Sequence, residues 1–203
     1  MPPRFVARQL SHPSGWLGHL FGRLMNRHNA RLNAFALEQL ALTQHDRVLE
    51  VGFGGGAALE QMMSRARFVC GLDRSETAVQ GAENRFADQV AVGCADFRVG
   101  RVEAMPFDAG DFDWVYTVNT IYFWPSLEAG FVQVHRVLKP LGQVVVGFLP
   151  KEHMDRMGMP ADIFTTRTIQ EVMTALDRVG FHRIEIRRPT PETLGAVVVA
   201  VRR

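Results

Sequence analysis

The feature that most constrains this chain is a run of glycines directly after a short apolar segment, within residues 47–56. The apolar segment contains two valines, and residues 57–63 after the glycines have a helical composition. The stretch therefore predicts a strand, a tight glycine turn and a helix start. Glycine has no Cβ, so such a turn lets a ligand lie against the backbone, and the amides at a helix start add partial positive charge. This pattern indicates a nucleotide-like ligand at the carboxyl end of a parallel strand.

Two ligand-binding spacings fit the same glycines. Gly52, Gly54 and Ala57 match the relaxed dinucleotide fingerprint, in which alanine can replace the last glycine. A second spacing places an acid first, at Glu50, and ends at Gly56. The third interpretation is a strand-to-helix turn without a ligand, but four glycines are rarely needed merely to turn a chain.

An acid follows at the end of the second apolar strand, since Asp73 lies 73 − 50 = 23 residues after Glu50. An acid about 20 residues beyond a glycine turn is where ribose hydroxyls are bound. A carboxylate suits that role because it offers only acceptor oxygens. The alternative is that Asp73 caps the next helix, a role for which Ser75 is also available. We favour ribose binding because the glycine turn is present too.

Composition bounds the class of protein. The chain has 203 residues, of which 47% are hydrophobic, and one α/β domain can hold that many. A net charge of +2 gives no support for nucleic-acid binding by bulk electrostatics. The two cysteines, Cys70 and Cys94, indicate buried thiols in a reducing compartment. No apolar run approaches the ~20 residues that span a bilayer. We expect a soluble cytoplasmic protein with a small-molecule partner, no stable membrane insertion and no metal site; a homodimer is left open.

The order of apolar runs predicts an α/β fold with a mostly parallel sheet. Strands are expected at residues 46–51, 68–73, 97–102, 111–119, 143–149, 182–188 and 194–202. Helices are expected at about 57–65, 75–86, 127–138 and 168–179, with 150–164 irregular. Thr165 or Thr166 is the predicted cap of the last helix, and Gly180 ends it. The short connection between the last two strands indicates an antiparallel hairpin.

The N-terminal part of the chain has a different pattern. Residues 16–42 have helical apolar spacing, with a break predicted at Asn29 or Asn33. We interpret residues 1–42 as a helical lid segment and residues 43–203 as the domain proper. Basic and histidine side chains recur in the first segment: His12, His19, Arg23, Arg27, His28 and Arg31. They fit a solvated helix face, a lid that touches substrate, or, least favoured, a membrane-surface segment.

Several landmarks follow one another at a characteristic spacing: the glycine motif, Asp73, Val102-Glu103-Ala104-Met105-Pro106-Phe107, Asp111-x-Asp113 and Arg136-Val137-Leu138-Lys139-Pro140-x-Gly142. Together they resemble the class I S-adenosylmethionine-dependent methyltransferases, in the branch that includes the ubiquinone/menaquinone-biosynthesis methyltransferases. The resemblance covers about residues 46–188. It implies a three-layer Rossmann-like sandwich with a seven-stranded sheet and a C-terminal antiparallel hairpin, S-adenosylmethionine as cofactor, and methyl transfer by in-line displacement. The alternatives are an NAD(P)-linked oxidoreductase and a cofactor-binding regulator without turnover.

The resemblance also implies roles for single residues. The methionine and ribose portion of the cofactor would lie along the glycine turn, at Gly52, Phe53, Gly54 and Gly56. Glu50 would orient the turn and reach the ammonium through water, and Asp73 would hold the ribose hydroxyls. The adenine would lie beside Arg74, with Val102 and Glu103 at its edge. Asn119 would face the methionine end.

Two positions depart from the family pattern. Arg101 stands where an acid often meets the adenine amino group, and arginine cannot accept a hydrogen bond. Glu103 or the backbone would have to take over that contact. Leu141 stands where glycine is usual, which is a milder change.

The acceptor side is predicted from an aromatic loop after the fourth strand. Tyr122, Phe123 and Trp124 form the candidate substrate wall, with Trp16 completing an apolar pocket, and the alternative is simple core packing under the next helix. An aromatic, largely uncharged wall favours a small, apolar or aromatic acceptor. A general base is needed only if the acceptor must lose a proton. The candidates are the histidines His19, His28 and His153, each of which is more often a surface residue, so the catalytic base stays unassigned.

Overall fold

Strands alternate with helices along the part of the chain that the structure, a computed structural model, describes: residues 30–157, 159, 161–188 and 195–203. The strands are β1 (Arg47–Val51), β2 (Phe68–Asp73), β3 (Ala95–Val99), β4 (Phe112–Val118), β5 (Leu138–Phe148), β6 (Phe181–Arg187) and β7 (Ala196–Arg202). They form a seven-stranded sheet in the order β3-β2-β1-β4-β5-β7-β6. The pairs among β1 to β5 are parallel, whereas β7 pairs antiparallel with β5 and β6. The predicted α/β class, mostly parallel sheet and antiparallel C-terminal pair are confirmed.

Helices cover both faces of this sheet. They are α1 (residues 30–38), α2 (Leu59–Met63), α3 (Glu76–Arg85), α4 (Ala87–Ala91), α5 (Leu127–Val137), α6 (Lys151–Arg156) and α7 (Ile169–Val179). Two short 3-10 turns, Val102–Ala104 and Ile121–Phe123, follow β3 and β4. Among the described residues, no helix is long and apolar enough to cross a membrane.

The sheet separates two hydrophobic cores. Leu49 and Val51 of β1 belong to one core and Val48 to the other, because successive side chains of a strand point to opposite faces. Residues of α5 and α7 complete the first core, and residues of α1, α2 and α3 complete the second. The hydroxyl of Tyr116 donates to the carbonyl of Asn33 at 3.2 Å, which ties α1 to β4. The result is the predicted three-layer sandwich.

Several local predictions were wrong. β3 begins and ends earlier than expected, at Ala95–Val99, and α6 occupies a stretch predicted to be irregular. The cap of α7 is Thr168 and not an earlier threonine; its Oγ1 accepts the N–H of Glu171 at 3.1 Å in a capping box. Helix α1 continues through Asn33, so the predicted break does not fall there. Cys70 is buried as expected, but Cys94 is exposed. Gly180 does end α7, with a φ of +105°.

The amino edge of the sheet carries residues of two family landmarks, Asp111-x-Asp113 and the segment that contains Lys139. Lys139 Nζ lies 2.9 Å and 2.8 Å from the two carboxylate oxygens of Asp113. Asp113 Oδ2 also accepts the backbone N–H of Arg47 at 2.8 Å, and the guanidinium of Arg47 lies 3.0 Å from Asp111 Oδ1. These residues lie at or next to the starts of β1, β4 and β5. They stabilise the edge opposite the glycine turn, and their role is structural.

Candidate functional site

The glycine turn leaves the carboxyl end of β1 in a conformation that favours glycine. Gly52 and Gly54 have φ values of +73° and +50°, a region that costs other residues about 1–2 kcal/mol. A Cβ on Gly52 would stand 2.5 Å from Cγ2 of Thr120, whereas a Cβ on Gly54 would meet nothing within 4 Å. Gly52 is therefore packed against protein, and Gly54 presents bare backbone to open space from which a ligand can approach.

Phe53, between these glycines, points into the protein. Its ring is buried and lies edge-on to Phe97, with the centroids 5.7 Å apart. It anchors the turn in the second hydrophobic core. The side chain is therefore directed away from the open side of the turn, which leaves the backbone of Phe53 to face a ligand.

Asp73, at the end of β2, is bonded to the same turn. Its Oδ2 accepts the backbone N–H of Gly54 at 2.8 Å, and its Oδ1 accepts the N–H of Ser75 at 2.9 Å. Capping of α3 is carried out by Ser75, whose Oγ accepts the N–H of Ala78 at 3.3 Å. A carboxylate oxygen has two acceptor sites, so each oxygen of Asp73 can take a further hydrogen bond from a ligand hydroxyl.

Glu50, near the carboxyl end of β1, is a buried acid with an unpaired carboxyl oxygen among the described residues. Its side chain is 7% exposed, and its Oε2 has no hydrogen-bond partner among the described residues. Burial and the negative charge of Asp73 raise the pKa of Glu50 from 4.5 to about 8. Both effects disfavour the charged carboxylate. The glycine turn therefore begins beside a carboxyl group whose surroundings favour the protonated form.

Charged side chains gather where β2 and β3 end. The guanidinium of Arg74 is partly desolvated, which lowers its pKa, and it interacts electrostatically with Asp73, Arg101 and Glu103. Arg101 is exposed, and its Nε lies 3.5 Å from Glu103 Oε2. The structure thus brings the predicted adenine-side residues together, and it pairs Arg101 with Glu103, the acid expected to take over the adenine contact that the family acid makes. Val102 is buried in the first 3-10 turn.

Two threonines that sequence reasoning missed connect β4 to the glycine turn. Thr117 Oγ1 donates to the carbonyl of Val51 at 2.9 Å, and it also hydrogen-bonds the hydroxyl of Thr120. Asn119, between them, has a φ of +59° and donates its N–H to the carbonyl of Gly147 at 2.8 Å. The predicted methionine-end residue is therefore held between β1 and β5. The position of these threonines at a strand end was the only signal in the sequence.

Tyr122 is buried, and its hydroxyl connects two segments of the chain by hydrogen bonds. Its hydroxyl accepts the backbone N–H of Leu149 and lies 3.1 Å from Oδ1 of Asn119, to which it donates. Burial raises the pKa of Tyr122, so the hydroxyl stays protonated at physiological pH. The tyrosine thus joins the ends of β4 and β5 and fixes the amide of Asn119.

The other two aromatic residues of this loop diverge. Phe123 is half-buried, and its ring lies 5.2 Å from that of Phe164 and 5.2 Å from the guanidinium carbon of Arg74. Trp124 is 4% exposed and packs edge-on against Phe131 in the first core. Phe123 is therefore the member of the predicted wall that can face a ligand. Phe164, the last residue of a segment predicted to be irregular, was not predicted from the sequence as a site residue.

Backbone contacts secure this loop from the other side. The N–H of Thr165 donates to the carbonyl of Tyr122 at 3.0 Å. Arg167 Nη2 donates to the carbonyl of Trp124 at 3.1 Å. The segment before α7 is therefore bonded to the aromatic loop through main-chain oxygens.

Three predicted residues, His19, His28 and Trp16, lie outside the described residues. His153 is described: it lies on α6, which follows β5 at the same edge of the sheet, and its Nδ1 is buried without a hydrogen-bond partner there.

Comparisons with known proteins agree on one family. The family described as "Methyltransferase domain" matches residues 49–146. Over 133 residues the chain is 34% identical to the uncharacterized methyltransferase YdaC of Bacillus subtilis (strain 168), covering 64% of this chain and 71% of that protein. The chain belongs to the class I S-adenosylmethionine-dependent methyltransferases. These similarities identify the family but not the ubiquinone/menaquinone-biosynthesis branch within it.

Other similarities to this methyltransferase concern parts of longer proteins or the fold alone. Over 126 residues it is 32% identical to the sterol 24-C-methyltransferase ERG6B of Gibberella zeae, covering 60% of this chain but only 32% of that protein. A chain from the complex between the Haloferax volcanii Trm112 methyltransferase activator and a methyltransferase has a TM-score of 0.72 and 21% identity, with 88% of this chain and 92% of that chain covered. At 21% identity, the similarity to this solved structure supports the fold alone.

The residues of this edge fit S-adenosylmethionine, the cofactor of the family. Gly54 offers open backbone, and Asp73 keeps free acceptor sites next to it. The unpartnered oxygen of Glu50 suits the positive charge of the cofactor. The family assignment favours this methyl donor over the nicotinamide and non-catalytic alternatives.

Proposed function

We propose that this methyltransferase methylates a small, apolar or aromatic metabolite by in-line displacement, in an acceptor site walled by Phe123 with Phe164 behind it. The observation that carries the proposal is that the aromatic loop touches both loops assigned to the cofactor. Thr120 packs against Gly52, and the guanidinium of Arg74 lies over the ring of Phe123. An acceptor held against this ring would therefore lie next to the methyl donor.

The bound cofactor supplies an activated methyl group on a sulfonium, and the chain supplies positioning. Asp73 accepts hydrogen bonds from the ribose hydroxyls, and the turn at Gly54 lets the cofactor lie against the backbone. Glu50 faces the positive charge of the methionine portion, and Asn119 lies at that same end. Holding two reactants in line can contribute several kcal/mol, up to about 7–11 in the best intramolecular cases.

The adenine end is proposed to lie among Arg74, Val102 and Glu103. Glu103 is paired with Arg101 at 3.5 Å, and the pair is partly exposed. Surface ion pairs of this kind are weak, typically about 0–1 kcal/mol. Glu103 can therefore exchange this partner for the adenine amino group at little cost.

An apolar acceptor is supported by the character of the wall and by the relatives. Phe123 presents a partly exposed aromatic ring, the buried ring of Phe164 packs behind it, and Met154 of α6 belongs to the same hydrophobic core. Methionine adapts to cavities of irregular shape. The name of the sterol 24-C-methyltransferase relative states an apolar acceptor for that protein. We extend this class of acceptor, and no particular molecule, to the present enzyme.

Two further parts of the proposal concern the remaining predicted residues. Within segment 1–42 the lid is proposed for the part that precedes α1, because α1 itself completes the second core; that part would bring Trp16 to the apolar pocket. His153, on the helix after β5, is the first histidine to test as a base if the acceptor loses a proton. His19 and His28 of the lid are the alternatives.

The proposal is tested by acceptor screening with matched aromatic variants. Formation of S-adenosylhomocysteine is measured for panels of small phenols, indoles, amines and apolar alcohols, with transfer RNA as a counter-screen. Phe123→Ala is expected to raise the KM of an accepted apolar compound at least tenfold with little change in the dissociation constant of S-adenosylmethionine. Phe68→Ala is the matched control, because Phe68 is also half-buried under a guanidinium, with Arg47 Cζ 4.1 Å from its ring, but lies at the start of β2.

Methylation of RNA without methylation of any small compound would contradict the proposed acceptor class. Equal effects of the two phenylalanine variants on acceptor KM would remove Phe123 from the acceptor site.

A further inference from the structure

The Oε2 atom of Glu50 is buried at the carboxyl end of β1 without a hydrogen-bond partner among the described residues. Buried polar atoms nearly always have a partner, so an unpartnered one calls for an explanation such as a ligand, an ion or a strained functional group. The position of Glu50 favours a ligand. It is separated by one residue from Gly52, where the glycine turn begins, and its neighbour Asp73 is bonded to Gly54.

The groups that face Glu50 are acidic or neutral. Asp73 approaches it from β2 as a negative charge, and Tyr116 is its register partner on β4. Burial and the charge of Glu50 raise the pKa of Tyr116, so this phenol contributes no charge at neutral pH. Among the described groups that perturb Glu50, none is a cation. A second negative charge at this place would be unfavourable until a positive charge arrives.

We propose that Glu50 carries a proton in the cofactor-free enzyme and releases it when the cationic methionine portion of S-adenosylmethionine binds beside it. This inference rests on the proposed function, because it uses the same cofactor site. The step is balanced: the O–H bond of the carboxyl group breaks, the carboxylate remains beside the cation, and the proton passes to the solvent buffer. Glu50 thereby selects ligands by charge, whereas Asp73 binds the ribose that neutral nucleosides also carry.

A quantitative expectation follows from the pKa of about 8 for Glu50. At pH 7 most free molecules are then expected to carry the proton, so cofactor binding should release a large fraction of one proton per site. The dissociation constant of S-adenosylmethionine should fall roughly tenfold between pH 6 and pH 7. The window is kept below pH 7.5 because α-amino groups themselves titrate near about 7.7–8.0.

The test is calorimetric titration of the full chain with S-adenosylmethionine at pH 7 in phosphate and in Tris, whose heats of ionisation differ. The dependence of the binding heat on buffer gives the number of protons released. 5′-Methylthioadenosine, which has the adenine and ribose but neither the sulfonium nor the ammonium charge of the cofactor, is expected to bind more weakly and to release none. Glu50→Gln is expected to abolish the release. Glu60→Gln is the control, because Glu60 lies on α2, which follows the glycine turn, but its exposed side chain pairs with Arg85 at 2.6 Å, and it should keep the release.

Each outcome decides the inference. Cofactor binding without buffer-dependent heat, or a release that persists in Glu50→Gln, would overturn the role of Glu50 while the methyltransferase assignment stands. Release with 5′-methylthioadenosine equal to that with the cofactor would overturn the charge selection. Failure of the unaltered enzyme to bind S-adenosylmethionine at all would overturn the proposed function and this inference together. If Glu50→Gln does not fold, the inference is tested by the dissociation constant of S-adenosylmethionine for the unaltered enzyme. A dissociation constant that is the same at pH 6 and pH 7 would overturn it.

Discussion

Asp73 Oδ2 accepts the backbone N–H of Gly54 at 2.8 Å, which joins the end of β2 to the turn after β1. The two elements proposed to hold the cofactor are therefore joined directly by a hydrogen bond. A preorganised site loses less conformational entropy on binding than one that must be ordered. A substitution in either element is expected to disturb the other.

Gly54→Val is expected to abolish binding of S-adenosylmethionine while the chain still folds. The side chain would enter the open space beside the turn, and the positive φ would cost about 1–2 kcal/mol of stability. Binding is measured by calorimetry and stability by urea unfolding. Gly93→Val is the matched control, because Gly93 also has a positive φ of +73° and open space around it but precedes β3 at the opposite edge. Unchanged affinity in Gly54→Val would refute the assignment of the turn.

Asp73→Ala is expected to weaken the affinity for S-adenosylmethionine by about 1.5–3 kcal/mol, the range for hydrogen bonds to a charged group. Part of the loss would come from the freed N–H of Gly54. Equilibrium titration measures the effect, with Asp96→Ala as the control. Asp96 lies on β3, the strand next to β2, but its carboxylate pairs with Arg98 at 2.7 Å on the surface. If the dissociation constant does not change, Asp73 does not bind the cofactor.

Glu50→Gln is expected to make the stability of the cofactor-free protein less dependent on pH. The pKa of Glu50 is raised from 4.5 to about 8, so the folded chain holds a proton that the unfolded chain releases. This contribution is fully present below pH 4.5 and is lost as the pH rises through 8, with a total on the order of a few kcal/mol. Urea unfolding at pH 5.5 and 8.5 measures it.

The free energy of unfolding of the variant, relative to that of the parent protein, should therefore be higher at pH 8.5 than at pH 5.5. Glu60→Gln is the control, because Glu60 is exposed and should leave the pH dependence unchanged. The same pH dependence in parent and Glu50→Gln would argue against a protonated Glu50.

Tyr122→Phe is expected to weaken cofactor binding severalfold. The variant leaves the N–H of Leu149 without its partner and frees the amide of Asn119, at a stability cost of about 1–3 kcal/mol. Tyr116→Phe removes an equally buried hydroxyl, which is bonded to α1 on the other face of the sheet. It should lower stability but change the affinity less than Tyr122→Phe does, because its hydroxyl is bonded to α1 and not to Asn119. Equal affinity losses in both variants would indicate that destabilisation alone is responsible.

Leu141→Gly is expected to stabilise the protein by about 1 kcal/mol. Leu141 has a φ of +65° and its side chain is 72% exposed, so little packing is lost and backbone strain is relieved. Urea unfolding measures the change. Leu141→Ala removes the same exposed side chain but keeps the strained backbone, so it should give no such gain. A gain from alanine equal to that from glycine would assign the effect to the side chain instead.

Local patterns predicted those parts of the fold that local chemistry determines. The strand, glycine turn and helix around residues 47–63 were predicted because β-branched residues and glycines have strong conformational preferences. Helix α6 was missed because its six residues follow a proline, and their helical form is accompanied by burial of Met154 in the first core. Only tertiary contacts determine that Met154 is buried, so no local pattern could predict this helix.

The candidate site was predictable to a similar degree. The backbone geometry of Gly54 and the place of Asp73 followed from spacing. The sequence could not distinguish Phe123 from its neighbour Trp124, although one is half-buried and the other is 4% exposed. The 3-10 turn at Ile121–Phe123 decides which ring turns inward. Phe164 meets this loop from 41 residues away along the chain (164 − 123 = 41), beyond the reach of any local pattern.

The segment before α7 is bonded to the aromatic loop through the carbonyl oxygens of Tyr122 and Trp124. Every amino acid supplies such an oxygen, so these bonds survive when a side chain on the loop is exchanged. The half-exposed position 123 can therefore drift during evolution, or be randomised in a library, without loosening the loop that carries it. If Phe123 walls the acceptor site as proposed, this arrangement separates the choice of acceptor from the integrity of the donor site, and position 123 is the place to start redirecting the enzyme to new substrates.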